Sequence, residues 1–267
     1  MRFLVGLGIA LLFALAASPA PAQQQPADLE LVLAVDTSSS VNRGEFDLQM
    51  SGLANAFRDP RVQKAIAAAG AFGIAVALVQ WADSRHQTLS IDWFLVRTPE
   101  DAEALADLID GTPRFVVGGG TAIGSAVMFA LDLLATNPYA GLRAVIDVSG
   151  DGRANQGELP TNARARALAE GVTVNGLAIL NEDPALNVYY LQYVIAGPGA
   201  FVLTAQDYEA FSDAIVEKLV REITGAPVAD LGHPGPPPVG RMPVDRIPVD
   251  RMPAGRIPAG GLPATRH

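Results

Sequence analysis

The sequence predicts an α/β protein with a doubly wound, mainly parallel sheet, one antiparallel edge strand and helices on both faces. Two observations indicate this fold class. Compact apolar runs rich in Val and Ile alternate with segments of helical period, as in successive βαβ units. The runs show little polar alternation, which is typical of strands covered by helices on both faces. These runs are LELVLAV (29–35), FGIAVALVQ (72–80), RAVIDVS (143–149) and VTVNGLAI (172–179).

The remaining strands complete the predicted sheet. The segment QTLSIDW (87–93) follows the second apolar run after a short polar turn and alternates more regularly. It is therefore expected as the antiparallel edge strand. A last strand is expected at AFVLTA (200–205), after a short amphipathic helix at YYLQYV (189–194). The prediction is about five parallel strands in the doubly wound order plus the antiparallel one.

The first helix carries both a start signal and a buried stripe. Asn42, followed three residues later by Glu45, resembles a capping box at a helix N-terminus. Apolar residues then recur at positions i, i+4, i+7 and i+11, which form one face of a helix. These residues are Phe46, Met50, Leu53 and Phe57.

Three further helices have signals of their own. In TPEDAEALADLI (98–109), Thr98 is a capping residue and Pro99 occupies the first helical position. The segment 122–135 is almost wholly apolar, which predicts a central helix. The segment 208–223 repeats apolar residues on one face and closes the folded domain.

The chain divides into four parts. Residues 1–22 resemble an export signal, because an apolar stretch of about 15 residues, short of the roughly 20 that span a membrane, ends in an A-x-A cleavage site. Residues 23–27 are expected as a short linker and 28–225 as the folded domain. Residues 226–267 contain a five-residue repeat with one proline in each repeat unit, which predicts a disordered tail. A passive tail, a spacer and a docking strip for an acidic surface or anionic lipid remain alternatives.

Composition excludes several function classes. The chain has no cysteine, which rules out a disulfide scaffold, cysteine-ligated zinc and a cysteine nucleophile. Its formal net charge of −9 would repel a phosphate backbone, so nucleic acid is not expected as a partner. After cleavage of the signal no stable membrane insertion is expected. The protein is predicted to be exported, and periplasmic rather than extracellular, because no surface-anchoring feature is present.

Polar side chains gather where the apolar runs end. Asp36 closes the first predicted strand, and Ser38 and Ser40 follow it in the next loop. A glycine-rich loop contributes Thr121, and the loop after another strand contributes Asp151. In an open α/β sheet the carboxyl ends of the strands form the binding edge, so these side chains are expected to converge. An oxygen-only cluster selects a hard divalent cation: Mg²⁺, with Mn²⁺ or Ca²⁺ as alternatives.

The charges of this cluster favour a particular use of the ion. Two carboxylates and neutral hydroxyls leave a divalent cation under-neutralised and with open or water-filled positions. A carboxylate from another molecule can then complete its coordination. The predicted site therefore suits binding of an acidic group.

These motifs resemble a known family. The D-x-S-x-S of residues 36–40, the GGGT of 118–121 and the SGDG of 149–152 are similar to the metal-ion-dependent adhesion site (MIDAS) of von Willebrand factor A-type domains. The resemblance covers about 28–225, and motif order and spacing match. Within that family the chain most resembles a group of uncharacterised bacterial exported proteins with a single A-type domain.

The resemblance implies roles for the five residues. Ser38 and Ser40 would coordinate the ion directly, and Thr121 directly or through water. The two aspartates would act through bound waters and by orienting the serines. In this family a partner's Glu or Asp commonly fills the remaining position. Asp147 lies four residues before Asp151 and is an alternative for the motif aspartate, but the adjoining glycines favour Asp151.

The function expected from these features is metal-dependent binding of a protein partner, without catalysis. No G-x-S-x-G elbow, P-loop or H-E-x-x-H is present, and Ile123 occupies the place of the third glycine in a dinucleotide fingerprint. None of the three histidines, His86, His233 and His267, lies in the predicted loop cluster. Two alternatives remain: a metal-assisted hydrolase that uses the same Asp/Ser/Thr cluster, and a structural tether that acts through the tail.

Overall fold

A computed structural model describes residues 24–225 of the 267-residue chain. The predicted export signal (1–22) and the predicted proline-rich tail (226–267) lie outside the described residues. Residues 23–27 are predicted as a linker, yet the structure forms a short strand at Gln25–Ala27, which pairs in parallel with Tyr139–Gly141.

The central sheet has six strands and confirms the predicted fold class. The strands of the described chain are β1 (Gln25–Ala27), β2 (Leu29–Asp36), β3 (Ile74–Trp81), β4 (Gln87–Val96), β5 (Tyr139–Gly141), β6 (Ala144–Gly150), β7 (Thr173–Ile179) and β8 (Val202–Ala205). The order in the central sheet is β4-β3-β2-β6-β7-β8. The β3–β4 pair is antiparallel and the other four pairs are parallel. Strand order reverses between β2 and β6, which makes that position the topological switch point.

Helices cover both faces of the sheet. They are α1 (Arg43–Arg58), α2 (Pro60–Ala69), α3 (Pro99–Gly111), α4 (Ile123–Thr136), α5 (Pro160–Glu170), α6 (Leu186–Tyr189) with a π-helical turn at Tyr190–Val194, and α7 (Phe211–Thr224). Helices α1, α2, α3 and α7 contribute to one core cluster, and α4, α5, α6 and the π-helical turn to the other. None of the helices in 24–225 is long and apolar enough to cross a membrane.

The buried strands show why continuous apolar runs are required. Every residue of β2 is buried, and alternate side chains enter different cores. Leu31 and Leu33 pack under α1, whereas Val32 and Ala34 pack in the cluster that includes α4. Strand β4 is only partly buried, as expected for the edge strand.

The helix starts follow the capping chemistry. Asn42 caps α1 in a capping box with Glu45, and the predicted apolar stripe of that helix is buried. Thr98 caps α3, where Asp101 completes a second capping box. Helix α7 begins at Phe211, three residues later than predicted. Tyr208 is thereby left in the preceding loop, where its side chain reaches the site described below.

Candidate metal centre

Three loops meet beside the switch point of the sheet. The loop after Asp36 contacts the glycine-rich loop through Ser39, whose N–H donates to the carbonyl oxygen of Gly119 over 3.2 Å. Gly118 and Gly119 have φ values of 76° and 90°, a left-handed conformation that glycine adopts without strain. The hydroxyl oxygen of Thr121 lies 3.7 Å from the point where a Cβ on Gly152 would stand. The glycine-rich loop therefore lies against the loops that follow both β2 and β6.

The two serines and Asp151 form a hydrogen-bonded chain. The Ser40 hydroxyl donates to Asp151 Oδ1 over 2.8 Å. The Ser38 and Ser40 hydroxyl oxygens are 3.1 Å apart. Because the single proton of Ser40 is directed to Asp151, Ser38 must be the donor in the second bond. Ser38 and Asp151 are fully buried, whereas Ser40 is exposed, so the chain runs from the interior to the surface.

Asp36 is the most electrostatically perturbed member of the cluster. It is fully buried; its Oδ1 accepts a hydrogen bond of 2.7 Å from the Ser38 N–H, and its Oδ2 has no hydrogen-bond partner. Burial, and secondarily the negative charge of Asp151, raise the pKa of Asp36 from 3.8 to about 7. A Cβ on Gly150 would lie 2.8 Å from Asp36 Oδ2, so glycine leaves room for that oxygen.

Thr121 is fixed in place through its backbone. Its N–H donates to the Asn155 side-chain oxygen over 2.9 Å, and the Asn155 N–H donates back to the Thr121 carbonyl over the same distance. This reciprocal pair holds the end of the glycine-rich loop against the loop that follows β6. Thr121 is therefore held beside Gly152, the residue after Asp151, without using its hydroxyl.

Several supporting residues were not predicted from the sequence. Gln49 donates to the Asp36 carbonyl over 3.1 Å. Arg114 donates to the Thr37 and Ser38 carbonyls over 2.7 and 3.2 Å. The signal for Gln49 was its polarity on the face of α1 that carries Phe46 and Met50. Nothing in the local pattern around Arg114 pointed to the site.

Gln80 is a further unpredicted support. Its side-chain oxygen accepts from the Phe115 and Val116 N–H groups over 2.8 and 3.3 Å, and its amide donates to the Pro113 carbonyl over 2.8 Å. These bonds fix the backbone of the segment before the glycines. The signal available was a glutamine at the end of an otherwise apolar buried strand.

Asp147, the alternative motif aspartate, lies elsewhere. Its carboxylate is 2.5 Å from Lys218 Nζ, which is also 2.5 Å from Glu222 Oε1. All three side chains are buried, and Asn175 donates to Glu222 over 2.9 Å. The structure brings Asp151 to the serines and holds Asp147 in an ion-paired cluster with α7.

The donor set fits a hard divalent cation. The five residues offer only carboxylate and hydroxyl oxygens, the ligand type that Mg²⁺, Mn²⁺ and Ca²⁺ share. The hydrogen-bond donors to the two carboxylates are neutral groups, and one buried carboxylate oxygen is unpartnered. Within 24–225 no group of three or more His, Asp or Glu side chains converges as a ligand set, so a cation here would depend on the hydroxyls.

Comparison of the sequence with protein families gives one match. Residues 26–227 match the family described as "Protein of unknown function (DUF1194)". A comparison with curated proteins gives no match.

Comparison with solved structures gives many similar folds. Proximal thread matrix protein 1 from the mussel byssus, with a zinc-occupied MIDAS motif, is 17% identical with a TM-score of 0.54, over 76% of this chain and 50% of that one. A von Willebrand factor type A protein from Catenulispora acidiphila is 17% identical with a TM-score of 0.51, over 74% and 43%. The chain thus spans about half the length of these two proteins.

A third structure is matched over nearly its whole length. The von Willebrand factor domain of the type V pili tip protein Mfa5 from Porphyromonas gingivalis is 15% identical with a TM-score of 0.50, over 78% of this chain and 99% of that one. At these identities the likeness concerns the fold alone. The chain belongs to the DUF1194 family, and its described domain has the von Willebrand factor A-type fold.

Proposed function

We propose that this domain is an exported, metal-dependent protein-binding module of the adhesion type. Its resident ion would be Mg²⁺, and an Asp or Glu of a partner protein would complete the coordination. One observation carries the proposal: three loops bring two carboxylates with neutral donors, and three hydroxyl-bearing residues, to the switch point of the sheet. The fully buried Asp36 has an oxygen with no partner at that point.

The residues would divide the work according to their hydrogen bonds. The Ser38 hydroxyl donates a hydrogen bond to Ser40, and the Ser40 hydroxyl donates one to Asp151. Both hydroxyl oxygens therefore keep a lone pair for a cation. Asp36 and Asp151 would supply the negative charge and orient the serines, and Thr121 would provide the third hydroxyl. When bound, the ion supplies positive charge and a coordination position for an acidic side chain.

The surface beside the cluster suits a protein partner. In the segment held by Gln80 and Arg114, the side chains of Phe115 and Val117 are 56% and 75% exposed. This hydrogen-bonded segment thus presents two large apolar side chains to solvent next to the glycine-rich loop. A groove of about 520 Å³, lined in part by Phe46, Arg114 and Val117, adjoins them. Apolar anchors of this kind are typical of protein contact sites.

The comparisons and the sequence support the remaining parts of the proposal. The mussel byssus protein of similar fold has a zinc-occupied MIDAS motif, and Mfa5 is a pilus tip protein. Residues 1–22 have the pattern of an export signal, and we place the protein in the periplasm. We infer that the domain is not an enzyme. His86, the histidine of the described chain, lies in the β3–β4 turn, where its ring nitrogen is 2.7 Å from the Asp83 carboxylate, and it is not part of the candidate metal centre.

Calorimetric titration of Mg²⁺ into the protein tests the metal site. The wild type should bind Mg²⁺, and the Ser38→Ala/Ser40→Ala variant should not. Ser39→Ala is the matched control, because it removes the same hydroxyl from the intervening residue, whose backbone alone contacts the glycine-rich loop. Equal heats for all three proteins would refute the metal site.

Selection of displayed peptides tests the partner chemistry. Peptides retained on the wild-type protein in Mg²⁺ and released by EDTA should each carry Asp or Glu, and the double-serine variant should retain none of them. A peptide set that binds equally with and without the chelator would contradict metal-mediated recognition.

A further inference from the structure

Two tyrosines contact or face the aspartates of the candidate metal centre. Tyr208 lies in the loop before α7 and is 3% exposed; its hydroxyl donates to Asp151 Oδ2 over 3.0 Å. Tyr190 is the first residue of the π-helical turn and is fully buried, with a hydroxyl that has no hydrogen-bond partner. Neither tyrosine belongs to the motifs of the metal site.

Tyr208 and Ser40 together fix the carboxylate of Asp151. Ser40 donates to Oδ1 and Tyr208 donates to Oδ2, so each oxygen has its own donor. The two donors are far apart in the sequence: Ser40 follows β2, and Tyr208 precedes α7. Because donors on both oxygens restrict rotation of a carboxylate, Asp151 is held in one orientation.

Tyr190 faces the free oxygen of Asp36. A Cβ on Gly150 would lie 3.0 Å from the Tyr190 hydroxyl and 2.8 Å from Asp36 Oδ2, so both atoms border the same small space. One atom is a donor and the other an acceptor, and both are buried without partners. A second glycine makes room for the tyrosine: a Cβ on Gly176 would lie 2.4 Å from Cδ1 of the ring.

Both phenols remain protonated donors. Burial, followed by the negative charges of Asp36 and Asp151, raises the pKa of Tyr190 and of Tyr208 well above the usual value of 10. A phenol with a raised pKa donates a hydrogen bond without adding charge. The π-helical turn, a rare local structure that often occurs at functional sites, sets the position of Tyr190.

We propose that Tyr208, through its hydrogen bond to Asp151, and Tyr190, through the small space that its hydroxyl shares with Asp36 Oδ2, are positioning residues of the metal site that fix the oxygen arrangement favouring Mg²⁺ over Ca²⁺. The inference rests on the proposed metal-binding function. Mg²⁺ requires near-ideal octahedral geometry at short distances, whereas Ca²⁺ accepts longer and less regular arrangements. Loss of a positioning hydroxyl should therefore weaken Mg²⁺ binding more than Ca²⁺ binding.

The experiment compares three single substitutions in the full chain. Tyr208→Phe and Tyr190→Phe each remove one hydroxyl and keep the ring. Tyr193→Phe is the control, because it makes the same change at a 42% exposed residue of the same π-helical turn. Affinities for Mg²⁺ and for Ca²⁺ are measured separately by titration calorimetry, and circular dichroism verifies folding.

Tyr208→Phe should bind Mg²⁺ about 10- to 100-fold more weakly, the usual effect of removing a hydrogen bond to a ligand. Tyr190→Phe should also bind Mg²⁺ more weakly, and each variant should show a smaller loss for Ca²⁺. Tyr193→Phe should match the wild type. Equal losses for both ions would indicate a general destabilisation and would overturn the positioning role. Affinities equal to those of the control would also overturn it while leaving the proposed function intact. If the wild type binds neither ion, the proposed function fails, and this inference fails with it.

Discussion

Substitution of Asp36 by Asn should remove a specific pH dependence of stability. The pKa of Asp36 is about 7 in the folded chain and 3.8 without the fold. Between these values the folded state holds the proton more tightly than the unfolded state, so stability without metal falls as pH rises from about 4 to 7. At about 1.4 kcal/mol for each pKa unit, the loss approaches about 4 kcal/mol for this fully buried group.

Urea unfolding in EDTA at several pH values between 4 and 8 measures the effect. The wild type should lose stability as pH rises, and Asp36→Asn should lose about 4 kcal/mol less over the same window. Glu222 has a pKa raised to about 7, principally by burial, and contributes a slope of the same sign. It is present in both proteins, so its contribution cancels in the comparison. Glu222→Gln is the matched control and should leave the Asp36 contribution in place.

Mg²⁺ supplies the second arm of this test. Saturating Mg²⁺ should restore stability at pH 7 to the wild type, because a ligand that binds only the folded state stabilises it. Asp36→Asn should gain little. If stability depended on pH equally in the wild type and in Asp36→Asn, ionisation of the buried Asp36 carboxyl would not be the cause of the loss of stability. The electrostatic argument for a cation at this site would then fail.

Three further substitutions test other parts of the structure. Gly150→Ala places a Cβ 2.8 Å from Asp36 Oδ2 and should lower stability by about 1–3 kcal/mol and abolish Mg²⁺ binding in calorimetry; unchanged binding would contradict the description of this space. Gln80→Leu removes three hydrogen bonds to the segment 113–116, so hydrogen exchange of residues 115 and 116 should accelerate at least about tenfold, and unaltered protection would be contrary to this role. Lys218→Met leaves two buried carboxylates unpaired and should cost about 3–5 kcal/mol in denaturant unfolding at pH 8; a neutral effect would argue against the ion-paired cluster.

The predictable part of the fold is the part that local patterns encode. Apolar runs and capping signals are properties of a few adjacent residues. The structure forms strands β2, β3, β6 and β7 at the predicted apolar runs, and it has helix caps at Asn42 and Thr98 as predicted. Helix α2 was missed because Asp59 ends α1 and caps α2 at once, which leaves no loop between the two helices. Helix α5 was missed because its buried residues, Pro160, Ala163 and Ala167, are small and because it has no side-chain cap.

The candidate site was predictable only for its loop residues. Asp36 and Asp151 follow buried strands, and the carboxyl ends of parallel strands share one edge, so their proximity follows from topology. The contacts of Tyr208 and Tyr190 depend on where α7 begins and on a π-helical turn. Those details arise from tertiary packing and have no counterpart in the hydrophobic period of the sequence. Strand β5 was missed for the same reason: it is three residues long and pairs with β1 across the chain.

The residues of the candidate metal centre differ in exposure: Asp36 and Asp151 are fully buried, and Ser40 lies at the surface. An acidic residue that docks on the Ser40 side would cover the path by which an ion exchanges with solvent. A chelator would then strip a complex no faster than the partner dissociates. The lifetime of an attachment would thus determine how long its ion stays in place, and a brief fall in the surrounding magnesium concentration would not break attachments already made.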